Sequence, residues 1–259
     1  MQAVLDLRPL APAAIVAVTG LVVLLAQAFT PKGKESPSAA LSLAGLAAAF
    51  ASVWLLATGS GLGTVMADAV TADELSLFLH ALVLGIAAVA VLLSPSYLRA
   101  NGMERGEYYT LLLFSTVGML GLVSSLELVS IFVALEIMSI ALYGMAGMDR
   151  RRVESQESAL KYFVTGSFAS AFFLYGIALL YGVSGSTSLE KVQRALAVSS
   201  SGSSTLAVLG AAIGTARATM QRFGQVIGLL RTNLRRAETP LAAPPRVSPS
   251  VGIRQNRDQ

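Results

Sequence analysis

One acid, Glu136, stands in the middle of an otherwise lipid-compatible run, LELVSIFVALEIMSIALYGMAG, residues 126–147. An ionised carboxylate at the centre of a spanning helix costs about 2.5–3.5 kcal/mol on insertion scales, so partners must offset it. Helical spacing shows where they lie: Ser139 (i+3) and Tyr143 (i+7) share the face of Glu136, and the other sides are Ile, Val, Leu and Met. A polar stripe of this kind belongs against other helices. An acid held there with hydroxyls beside it can take up and release a proton. Glu127 falls about half a turn away and about 13 Å nearer the helix start, in the headgroup zone, and is peripheral.

Two further ionisable groups need weighing. Lys161 lies about one turn inside the next apolar run, where its stem lets the ammonium reach the interface. His80, the only histidine, lies near the start of an earlier span. A lone histidine at a membrane boundary is more often a packed or interfacial residue than a proton carrier.

Apolar runs of about 20 residues, the length that crosses a bilayer, predict the elements that position these groups. Six full spans are expected, at about 10–29, 39–59, 75–93, 108–125, 127–147 and 160–181, with a seventh starting at 205. The fold class is all-α, a polytopic transmembrane helical bundle. Thr71 and Glu74 have the spacing of a capping box opening the third span. The glycine-rich stretch before it reads as a flexible turn, since no strand precedes it and no Lys-Ser/Thr follows as a phosphate loop requires. Gly118 and Gly121 permit close helix approach in the fourth span, and Gly166 with Ser170 forms a small-xxx-small pair in the sixth.

Composition agrees. Of 259 residues, 54% are hydrophobic and 13% charged, against about 25% charged in soluble domains. There is no cysteine, hence no disulfide, thiol nucleophile or cysteine-held iron-sulfur cluster, and one histidine makes no histidine-built metal site. Charge is uneven: eleven Lys and Arg against thirteen Asp and Glu up to Ile213, then eight against two beyond it. The basic character therefore belongs to the tail and does not point to nucleic acid. With the N-terminus outside, the inner loops hold Lys32, Lys34, Arg99, Arg105 and Arg150 to Arg152, while the outer segments before the tail hold Arg8, Lys191 and Arg194. That seven-to-three bias favours an N-out topology.

The segments GEYYTLLLFSTVGMLGLVSS, IFVALEIMSIALYGMAG and ESALKYFVTGSFASAFFLYGIALLYGVSG resemble the antiporter-like proton-translocating subunits of bacterial NADH:quinone oxidoreductase (respiratory complex I), the subunit N family in particular. The resemblance covers residues 60–190 closely and the first two helices more loosely. It implies a membrane-arm subunit of about fourteen helices built from two inverted five-helix repeats, each contributing a proton half-channel, in the inner (plasma) membrane beside other membrane-arm subunits. In that family a fifth-helix glutamate pairs with a seventh-helix lysine, and Glu136 matches the glutamate. Lys161 matches a recurrent lysine at the start of the sixth helix. A Glu/Lys pairing that forms and breaks can load and release protons. NADH, flavin, iron-sulfur and quinone sites are expected in other subunits; this chain has no nucleotide fingerprint and no redox site of its own.

The sequence departs from the family beyond residue 213. The stretch 214–259 holds no lysine, so the lysines of the seventh, eighth and twelfth helices have no counterpart. The swing to Arg, Pro and Ser is what a shifted or truncated reading frame produces. A basic amphipathic helix carrying Met220, Phe223, Ile227, Leu230 and Leu234 followed by disorder from Ala242 is expected. Two other readings stay open: a fragment of a homologous cation/proton antiporter or membrane-bound hydrogenase subunit, and an inactive membrane protein in which Glu136 only hydrogen-bonds between helices.

Overall fold

The computed structural model describes residues 8–29, 37–59, 63–65, 69–100 and 106–198; the expected seventh span at 205 and the basic tail lie outside them. Seven helices follow in chain order: α1 (Ala11–Phe29), α2 (Ser38–Thr58), α3 (Glu74–Ala100), α4 (Gly106–Ser124), α5 (Leu128–Ala146), α6 (Val153–Ser184) and α7 (Leu189–Val198). Between α2 and α3 stand two short strands, β1 (Gly63–Val65) and β2 (Val70–Ala72). The first six helices, counting the 3-10 turn at Arg8–Leu10 with α1, are long and apolar enough to cross a membrane, as expected.

α4 is the centre of the described bundle. It packs on α1, α3 and α5, and half of its spanning window is buried against 22% for α6. Lipid tails are as apolar as leucine, so close packing holds such helices together in place of a hydrophobic driving force. The seam is built from Val16 and Val23 of α1, Leu46 and Val53 of α2, Leu84 and Val91 of α3, and Leu113 and Leu120 of α4, all nearly or wholly buried. Gly118 brings α4 against α5: a Cβ there would lie 2.5 Å from the Met138 nitrogen and 2.7 Å from the Ala134 carbonyl oxygen. Only glycine fits at that distance.

Three expectations need correction. First, the glycine-rich stretch is not wholly a turn. β1 and β2 pair antiparallel, with Thr64 opposite Thr71, and Val70 bridges to Ser125 in the α4–α5 connection. The Leu126 N–H donates to the Ala69 carbonyl at 2.8 Å, and the Leu128 N–H to Thr187 at 2.9 Å. Backbone polar groups at a membrane boundary must find partners, and here three connections supply one another.

Second, Thr71 does not cap α3, because the strand holds it extended. Asp73 takes the role: its Oδ1 accepts from the Ser76 N–H, and its own N–H donates to Ser76 Oγ, both at 2.9 Å. This reciprocal pair is a capping box displaced by two residues. The bonds from Ser76 hold the Asp73 carboxyl below its usual range.

Third, α3 does not end at Leu93 but runs through Pro95 to Ala100. Proline removes one helical hydrogen bond. Burial of Leu98 and a 3.2 Å bond from Ser94 Oγ to the Tyr108 hydroxyl hold the extra turns in place. α6 is also longer than predicted. Its 32 residues span about 48 Å at 1.5 Å each, beyond the ~30 Å hydrocarbon core. It ends at Gly185, whose φ of 66° is the left-handed stop that glycine supplies.

Candidate functional site

α5 begins at Leu128 and carries Glu136 eight residues in, about 12 Å along the axis. The acid is half-buried. Its neighbours on the helix decide the direction: Val133 and Ile140 are exposed, whereas Leu135, Ser139 and Tyr143 are buried. The polar stripe therefore faces protein, and that protein is α6. Ser170 Oγ donates to Glu136 Oε1 across the interface. About two turns toward the other end, the Tyr143 ring stands edge-on to Tyr162 at 4.7 Å and to Phe163 at 5.7 Å. Its hydroxyl occupies the place where a side chain at position 166 would begin. Gly166 and Ser170, the small-xxx-small pair, thus make room for an aromatic ring and an acid.

Ser170 has a second bond, to the Gly166 carbonyl at 3.0 Å. A serine hydroxyl carries one hydrogen and two acceptor sites, so the two bonds describe two arrangements. With Glu136 ionised, Ser170 gives its hydrogen to the carboxylate. With Glu136 protonated, the acid can donate to Ser170 Oγ while Ser170 turns its hydrogen to Gly166. Both protonation states are satisfied without moving a helix. Ser139 donates to the Leu135 carbonyl of its own helix at 2.7 Å.

Lys161 stands apart from this cluster. It lies eight residues inside α6, two turns in place of the expected one, and pairs with Glu157 one turn earlier. Both side chains are largely exposed, at 72% and 56%. Nine residues, about 13 Å of helix axis, separate Lys161 from the level of Ser170. Glu127 is the N-cap residue of α5. Its carboxylate accepts from Thr187 and from Ser130 at 3.4 Å, tying the α5 start to the α6–α7 connection.

His80 is 2% exposed. Its Nε2 lies 2.8 Å from Ser124 Oγ and 3.1 Å from the Leu120 carbonyl, joining α3 to the last turn of α4. Its Nδ1 has no hydrogen-bond partner among the described residues. Sequence reading missed Ser170 and Glu157 as partners. Glu157 was readable as the i−4 acid of Lys161. Ser170 was singled out as a packing residue only, because no spacing rule pairs residues 34 apart. No group of three or more His, Cys, Asp or Glu side chains able to hold a metal occurs among the described residues.

Six apolar helices with an acid held between two of them define a polytopic membrane protein carrying an ionisable group within the membrane. Residues 125–226 match the family model described as NADH:quinone oxidoreductase/Mrp antiporter, TM, a match that runs past residue 213. NADH-quinone oxidoreductase subunit N 2 of Koribacter versatilis is 42% identical over 198 residues, covering 74% of this chain and 40% of that protein. The subunit N of Trichlorobacter lovleyi is 36% identical over 210 residues, covering 80% and 42%. The chain thus spans about two-fifths of the length of these relatives.

Among solved structures, a chain of respiratory complex I from Thermus thermophilus aligns with a TM-score of 0.60 and 33% identity, over 79% of this chain and 42% of that one. A chain of an archaeal membrane-bound sulfane sulfur reductase aligns with a TM-score of 0.67 at 16% identity, over 81% and 43%, a likeness of fold alone. The chain belongs to the NADH:quinone oxidoreductase/Mrp antiporter transmembrane family. Over most of its described length it is similar to subunit N.

Proposed function

We propose that the chain serves as a membrane-arm subunit of a proton-translocating NADH:quinone oxidoreductase, with Glu136 as its proton-binding group. One observation carries this reading. The acid sits within the family-matched segment against a serine able to partner both of its protonation states. Tyr143 supports it by packing on Tyr162 and Phe163 in the α5–α6 seam, Ser139 is a supporting candidate on the same helix as the acid, and Lys161 is a second proton-handling candidate nearer the aqueous end of α6. The charge bias of the loops supports insertion in the inner membrane with the N-terminus outside. Electron transfer from NADH to quinone is assigned to partner subunits. A second reading, a subunit of a cation/proton antiporter, is favoured by the family description, which covers Mrp antiporters as well.

The test is Glu136→Gln at the matching position of a complete relative, assembled in its complex and reconstituted in vesicles. Proton pumping coupled to NADH oxidation falls while assembly survives; undiminished pumping removes Glu136 from the mechanism. Co-purification of the tagged chain with soluble NADH-oxidising subunits separates the first reading from the antiporter reading.

A further inference from the structure

A cleft of about 420 Å³ opens between α2 and α3 near the hairpin, well away from α5 and α6 in the chain. Its floor is Val53 and Leu77, 4% and 5% exposed, and its sides are Phe50, Trp54 and Phe78, all substantially exposed. Each of these is apolar or amphipathic. The exception is at the rim: Glu74, the first residue of α3. From Glu74 to Ala81 the cleft descends seven residues, about 10 Å, into a hydrocarbon leaflet about 15 Å deep.

Glu74 is not occupied by the fold. The capping work at the start of α3 is done by Asp73 and Ser76, and no hydrogen bond or ion pair among the described residues engages the exposed Glu74 carboxylate. Trp54, one turn deeper on α2, has the amphipathic ring that settles at headgroup level. Among the described residues no basic side chain lines the cleft, so nothing described there matches a lipid whose headgroup is purely anionic. An acid above an apolar trough complements the ammonium end of a zwitterionic headgroup on a hydrocarbon tail. A primary ammonium presents hydrogen-bond donors to a carboxylate; a trimethylated one presents none.

We infer that the α2–α3 cleft seats an acyl chain of an aminophospholipid whose ammonium pairs with Glu74. The chain carries its own reporter, because Trp54 is its only tryptophan. The whole 259-residue protein is reconstituted in choline-lipid vesicles containing a minority of ethanolamine phospholipid with brominated acyl chains, and tryptophan quenching is read. Brominated choline lipid at the same mole fraction is the reference.

The ethanolamine lipid quenches as though enriched about twofold around Trp54, the size expected of one exposed ion pair, and Glu74→Gln makes the two lipids equal. Successive N-methylation of the ethanolamine headgroup lowers the enrichment stepwise in the unaltered chain, a measurement independent of any variant's folding. Equal quenching by both lipids in the unaltered chain overturns the inference, since the cleft is then ordinary lipid boundary. So does a preference that survives Glu74→Gln, or the absence of quenching by either lipid, which means that protein covers the cleft.

Discussion

The α1–α4 half and the α5–α6 seam both bury polar groups inside apolar helices, yet they treat them differently. In the first, Ser42, Thr116 and Ser124 donate to carbonyls one turn back on their own helices, and His80 is locked at 2% exposure against Ser124 and Leu120. Ser42 and Thr116 bond back to their own helices, and Ser124, which like Ser170 reaches two partners, faces an imidazole in place of an acid. At the seam, Glu136 is half-buried, and its Ser170 partner has an alternative acceptor within reach. A buried polar group with one fixed set of partners is a staple, whereas one whose partner can turn is able to change protonation without unpacking its surroundings.

The contrast can be broken most severely at the joint between the halves. Gly118→Leu drives side-chain atoms into the backbone of α5. It should cost about 3 kcal/mol or more, the upper range of overpacking, seen as loss of cooperative thermal unfolding in detergent followed by circular dichroism. A mild effect would mean that α4 and α5 separate freely.

The staple character of His80 is tested by volume. His80→Ala leaves a cavity and should cost about 2–3 kcal/mol. His80→Leu refills the space and removes the orphaned Nδ1, and should cost about 1 kcal/mol or less. Equal losses in denaturant titrations would assign the role to hydrogen bonding in place of packing.

For the seam, a double-mutant cycle of Ser170→Ala and Glu136→Gln should show a coupling of about 1–2 kcal/mol. Additive effects would mean that Ser170 does not hold the acid.

At the helix start, Asp73→Ala removes a cap and should cost about 1 kcal/mol. The Asp73 carboxyl titrates below its reference value of 3.8 in the folded chain. Its stabilisation is therefore full above that value and is lost as pH falls through the lower folded value, so the variant and the parent should converge in acid. A difference that persists there would contradict a charge-assisted cap. The smallest effect is expected at Lys161→Ala, about 0.3–0.5 kcal/mol, because its pair with Glu157 is exposed and within one helix.

Much of this was legible beforehand. Periodicity and length placed all six spans, four of them within about two residues at both ends, because a membrane helix must satisfy its own backbone and cover the hydrocarbon with apolar side chains whatever its neighbours do. The Glu136, Ser139 and Tyr143 stripe was readable for the same reason: residues sharing a helix face do so by local geometry alone. Gly118 announced a close contact because little else explains a glycine inside a helix.

Other features were settled by contacts between distant parts of the chain. Thr71 has the spacing of a cap, but pairing of β1 with β2 and of Val70 with Ser125 holds it in a strand and passes the cap to Asp73. Pro95 reads as a helix end, and burial of Leu98 carries the helix past it. Ser170 and Glu136, 34 residues apart, meet only because α6 returns along α5. The sequence by itself determined which segments enter the membrane and that an acid goes with them, since both follow from transfer energies summed along one helix. Only the tertiary structure decided what that acid touches, because a hydrogen bond between helices depends on their register and rotation, which no single helix specifies.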